Sequence, residues 1–104
     1  MDISSSVASK YVNELVQILG EGCCEFYIFG SRANGRARPD SDYDIAILLN
    51  DNKPTSSIRR LASDKAFPYL LLGTEIRPVV LRRSSLDADS QFARHIREIG
   101  IRLA

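Results

Sequence analysis

Two aspartates separated by one residue, Asp42 and Asp44, stand at the start of the apolar run DYDIAILL, and ten residues before them lies a Gly-Ser pair, Gly30 and Ser31. Paired carboxylates are hard oxygen donors suited to Mg²⁺, which binds through one or two of them and fills its shell with water and substrate phosphates. A glycine that ends a strand, followed by a serine that opens a helical turn, presents unpaired N–H groups to an anion. Alternate side chains of a strand share a face, so Asp42 and Asp44 project together from Cα atoms about 6.5–7 Å apart. Like charges so placed repel unless exposed or neutralised by a cation. The pattern reads as a phosphate handle beside a metal handle.

The flanking sequence supplies elements to hold both handles. Ser4 to Ser6 offer N-cap hydroxyls, and Val7, Tyr11, Leu15, Ile18 and Leu19 recur at helical spacing until Gly20. CCEFYIF is aromatic and branched on both faces, the signature of a buried strand, and it ends at Gly30. Ser31 to Gly35 fit a short helix, and DYDIAILL is the second strand, with Tyr43 turned to the core. Ile58, Leu61, Ala62, Lys65, Ala66 and Tyr69 mark one face of a second long helix, which Pro68 is expected to kink or end. TEIRPVVL is a third strand whose Pro78 suits an edge or a bulge. Phe92, Ile96 and Ile99 define a last helix that closes at Gly100, leaving Ile101 to Leu103 as a tail. The expected class is α/β (α+β), a small mixed sheet with three core strands and about four helices in one domain, 1–104.

Composition narrows the partners. With 104 residues, 44% apolar, the chain builds one core. Its 14 basic residues nearly balance 13 acidic ones, so no broad field favours direct nucleic-acid binding or a membrane surface. The charge is asymmetric locally: Arg32, Arg36 and Arg38 precede Asp40, Asp42 and Asp44. Adjacent Cys23 and Cys24 do not suit a mutual disulfide and are expected to be reduced. Neither a signal-like segment nor an apolar run of membrane length is present, so the cytoplasm is the expected compartment. His95 lies in a helix without a second histidine nearby, and a metal role is not expected of it.

One phosphate-binding alternative fails on its own chemistry. Gly30 and Gly35 match the glycines of a P-loop, but Arg36 replaces the lysine and Ala37 the hydroxyl that would hold magnesium. The arrangement Gly-Ser, ten residues, Asp-x-Asp instead resembles the signature of the nucleotidyltransferase (DNA polymerase beta-like) superfamily. Within it, the sequence is similar to the minimal nucleotidyltransferases that act as antitoxins beside HEPN-domain toxins. GSRANGRARPDSDYDIAIL carries the resemblance, and the predicted elements follow the family's order.

The resemblance implies a nucleotidyltransferase fold and transfer of a nucleoside monophosphate, AMP from ATP, to a hydroxyl of a partner protein, expected to be a HEPN toxin. Asp42 and Asp44, with Glu75 as the third catalytic and metal-binding carboxylate, would bind two Mg²⁺ ions, while Gly30, Ser31, Arg32 and Arg36 would hold the phosphates. Similar enzymes add a third carboxylate, generally aspartate, on the next strand as metal ligand and base. Glu75 is the only acid in TEIRPVVL; it is one methylene longer, and Arg77 lies on its face. That departure leaves an alternative of another class: a weakly catalytic or non-catalytic nucleotide-binding module that neutralises its partner by masking. A nucleotide-transfer subunit acting on nucleic acid within a larger assembly is a lesser alternative.

Overall fold

The computed structural model describes residues 7–22, 24–30, 42–50, 54–84 and 90–104. Helix α1 spans Val7–Leu19, strand β1 Cys24–Phe29, β2 Tyr43–Leu49, helix α2 Thr55–Leu71, β3 Ile76–Arg82, α3 Gln91–Ile99 and β4 Ile101–Arg102. The sheet order is β3-β2-β1-β4. β1 runs antiparallel to β2 and β4, whereas β2 and β3 are parallel, so the sheet is mixed as expected.

Alternation divides the sheet into two faces. Phe26, Ile28, Ile45, Ile47, Leu49, Ile76 and Val80 join Tyr11, Leu15, Ala62 and Ala66 in the main core, which places α1 and α2 on one side. The other face carries Phe29, Asp44, Ala46 and Leu48, and Phe29 packs edge-on against Phe92 of α3 at 5.4 Å. β2 is therefore apolar on both faces from Ile45 onward, and only its first residues remain accessible. Tyr43 packs against the main core, as its parity predicts.

Some boundaries differ from expectation. Cys24, the first described residue of β1, is buried and forms no disulfide among the described residues. On α1 the buried residues are Ala8, Tyr11, Val12 and Leu15, while Ile18 is exposed. Pro68 does not end α2, which continues to Leu71. Its ring removes one N–H donor from the exposed side of the last turns, a loss that water absorbs. The helix stops at Gly73 instead, whose φ of +91° lets Gly73 and Thr74 donate to the carbonyls of Leu70 and Tyr69, both at 2.9 Å. Pro78 lies on edge strand β3, where a missing donor costs little. The tail forms β4, anchored by Leu103 N–H to the Phe26 carbonyl at 2.8 Å and Phe26 N–H to the Ala104 carbonyl at 3.0 Å. Three helices lie among the described residues; the expected short helix at 31–35, like Cys23, falls outside them. Among the described residues no helix is long and apolar enough to cross a membrane.

Among the described residues, two polar contacts tie the helices on the core face, one of them the exposed bond from the Tyr69 hydroxyl to Glu14 Oε1 at 2.9 Å. The fully buried Tyr11 donates its hydroxyl to the Ala62 carbonyl at 2.7 Å. Burial first, then the nearby Glu14 and Tyr69, pushes the pKa of this phenol above the ordinary tyrosine range, so it remains a donor throughout the working pH range. Tyr11→Phe is expected to cost about 0.5–1.5 kcal/mol, the net worth of such a bond. Urea unfolding checks this as a lower midpoint at unchanged slope.

Candidate active site

The open end of β2 is where the chemistry collects. Antiparallel pairing sets Phe29 opposite Asp44, so the residue that follows, Gly30, turns away beside the Asp44 carboxylate. Gly30 has φ +74°, and a Cβ built on it would collide with Asp44 Oδ2. Only glycine allows the backbone this approach, which sets Gly30 of the proposed phosphate handle beside Asp44 of the proposed metal handle. Parallel pairing places Arg77 level with Asp44 on β3. Its guanidinium lies 3.3 Å from Asp42 Oδ2 through NH1 and 3.9 Å from Asp44 Oδ1 through Nε. Exposed pairs of this kind stabilise a fold by about 0–1 kcal/mol, so stability alone does not account for Arg77.

Asp44 is the more enclosed aspartate, with 26% of its side chain accessible against 35% for Asp42. Burial pushes the Asp44 carboxyl above the ordinary aspartate range; Arg77 opposes the shift, Asp42 adds to it and His95 opposes it. The carboxylate therefore sits where a cation would restore lost solvation. Hard oxygen donors on one face, opening onto a backbone turn, fit Mg²⁺ coordinated jointly by protein and phosphate. Among the described residues no three His, Cys, Asp or Glu side chains form a group able to hold a metal ion. Among the described residues Asp42 and Asp44 are the carboxylates that share this face beside Gly30, and such a pair suits a cation that arrives with its own phosphate ligands.

The remaining predicted site residues fall in three places. Ser31, Arg32 and Arg36 lie outside the described residues. Glu75 is exposed just before β3, its carbonyl accepts the Tyr43 N–H at 2.9 Å, and it borders a groove of about 160 Å³ with Phe67 and Leu70 of α2. It is thus brought to the end of the sheet where the aspartates stand, but not into a metal-holding group with them. His95 is exposed on α3, 6.1 Å from the Phe29 ring, on the face that carries Asp44. Sequence reading missed the linkage of Phe29, Phe92 and His95 to this face; an aromatic residue immediately before Gly30 was the available signal.

A family model described as "Polymerase beta, Nucleotidyltransferase" matches residues 22–103, which contain every residue of the site. No curated protein matches the sequence. Among solved structures, a provisionally named nucleotidyltransferase of Sulfolobus solfataricus is similar at 21% identity and TM-score 0.58, covering 91% of this chain and 78% of that one. A toxin-antitoxin structure with AMP-PNP is similar at 19% identity and TM-score 0.60, with 94% and 73% covered. The MntA-HepT toxin-antitoxin structure matches at 20% identity and TM-score 0.55, over 94% of this chain and 70% of that one. These likenesses agree with the mixed sheet and its helices, and the match across residues 22–103 places this chain in the polymerase beta nucleotidyltransferase family.

Proposed function

We propose that the chain is a Mg²⁺-dependent nucleotidyltransferase that moves AMP from ATP to a hydroxyl of a partner protein, a HEPN-domain toxin that it thereby neutralises. The observation that carries this reading is the meeting of Asp42, Asp44 and the Gly30 backbone at the open end of β2. Family membership supports nucleotidyl transfer. A similar fold in a toxin-antitoxin structure with AMP-PNP supports the adenine nucleotide and the class of partner.

In the reaction, the acceptor oxygen bonds to the α-phosphorus, the bond from that phosphorus to the bridging oxygen breaks, and pyrophosphate leaves. Bound Mg²⁺ would supply Lewis acidity at phosphate oxygens and offset charge in the displacement. Asp42 and Asp44 would hold it. Gly30 N–H, Ser31, Arg32 and Arg36 would orient the phosphates, keeping the leaving group in line. Glu75, exposed at the foot of β3, is proposed to accept the acceptor's proton.

The exposed Phe67, Leu70, Leu71 and Leu72 near the end of α2 favour a second reading, in which the chain neutralises its partner by covering it. Intact-mass analysis of the partner, mixed with the chain, ATP and Mg²⁺, separates the two. Transfer predicts one or more AMP mass increments and neutralisation that fails when Glu75→Gln slows labelling. Unlabelled partner that is nevertheless neutralised would support masking and end the transfer reading.

A further inference from the structure

Three of the four carboxylate oxygens of the two aspartates have neighbours that set them in two directions. Asp42 Oδ2 and Asp44 Oδ1 face the guanidinium of Arg77, at 3.3 and 3.9 Å, whereas Asp44 Oδ2 is the oxygen beside Gly30. The division is built into the sheet. Arg77 pairs in register with Asp44 across the parallel β2–β3 ladder, and Asp42, two residues earlier, is on the same face. One arginine is thereby positioned to span both carboxylates from the outer strand.

A guanidinium is permanently charged and cannot yield a proton to make room for a metal. Mg²⁺ requires oxygen ligands at about 2.0–2.1 Å in near-octahedral geometry, so a metal on that side must first displace the guanidinium from Asp42 Oδ2, its hydrogen-bond acceptor, and from beside Asp44 Oδ1. A second divalent ion placed there would also meet the fixed positive charge. On the Gly30 side the opposite holds: Asp44 Oδ2 adjoins the Gly30 backbone, and no salt bridge of the described residues reaches it.

We propose that Arg77 is a resident cation of this site, holding Asp42 Oδ2 and Asp44 Oδ1 so that the pair takes one divalent ion per nucleotide, on the Gly30 side. This rests on the nucleotidyltransferase reading above and departs from the two ions that the sequence resemblance implies. Arg77 is a positioning residue here: it sets the metal count and keeps the two carboxylates apart from a second ion.

The test counts metal ions. The full chain, Arg77→Ala and Arg77→Lys are dialysed against Mn²⁺ and a non-hydrolysable ATP analogue, and bound Mn²⁺ is measured per bound nucleotide by electron paramagnetic resonance. Arg77 is 61% exposed, so its truncation leaves the core intact; matching thermal unfolding curves check this. The expected ratios are one for the unaltered chain, one for Arg77→Lys and two for Arg77→Ala. Two ions in the unaltered chain, or one in Arg77→Ala, would overturn the inference while leaving the nucleotidyltransferase reading in place. Absence of both Mn²⁺ and nucleotide from every form would overturn that reading and the inference with it.

Discussion

Asp44→Asn is expected to lower nucleotidyl transfer by about 10²–10³-fold or more, the scale on which removing one preorganised electrostatic group acts on a transition state. The same substitution is expected to raise thermal stability at neutral pH. Burial, the first cause of the shift, holds the Asp44 carboxyl above its ordinary range in the folded chain. The folded state therefore binds this proton more tightly than the unfolded state does. Below the ordinary aspartate range both states are protonated and the group contributes nothing. As pH rises through the raised folded value, the unfolded chain gains more from ionisation, and stability falls. Asparagine removes that penalty, so the variant's advantage is full above the folded value and vanishes as pH drops into the ordinary aspartate range. Melting curves across this interval give the sign; an Asp44→Asn chain less stable than the original at neutral pH would contradict it.

Gly30→Ala is the second large effect. The φ of +74° costs an L side chain about 1–2 kcal/mol, and the added methyl would meet the Asp44 carboxylate. Either the turn moves or the carboxylate rotates, and each change separates the phosphate handle from the metal handle. Expected results are a destabilisation of at least the backbone cost and a loss of ATP-analogue affinity. Gly73→Ala is the matched control: its φ is +91°, but nothing lies within 4 Å of a Cβ there. It should show the backbone cost with nucleotide affinity unchanged, as measured by calorimetric titration beside unfolding curves. Equal loss of affinity in both variants would mean that Gly30 acts through stability alone.

The contrast between these glycines marks what the sequence makes legible. Gly30 is readable because a strand signal ends there and Asp-x-Asp follows at a fixed interval; Asp42 and Asp44 are readable because strand parity is a local rule. The same rule anticipated Tyr43 against the core, and proline's missing N–H pointed to an edge or a bulge at Pro78, which lies on edge strand β3. Non-local pairing was not readable. That Arg77 lies level with Asp44 depends on the parallel β2–β3 register, and two residues, Ile101 and Arg102, become β4 only because β1 offers them an unpaired edge. Pro68 misled as a possible helix end for a related reason: propensity allows a stop there, but the apolar contacts of Ala62, Ala66 and Tyr69 hold α2 against the core through to Leu71. The roles of Ser31, Arg32 and Arg36 rest on sequence, since they lie outside the described residues.

The central claim, that Asp42, Asp44 and Gly30 form a site for transfer at an α-phosphate, is tested most directly by following the label. The full chain and its partner are incubated with Mg²⁺ and ATP carrying radioactive phosphorus at either the α or the γ position. Covalent label on the partner from α-labelled ATP alone, with γ label released as pyrophosphate and both lost in Asp44→Asn, is the predicted result. Label transferred from the γ position, or α-label transfer undiminished in Asp44→Asn, would contradict the account.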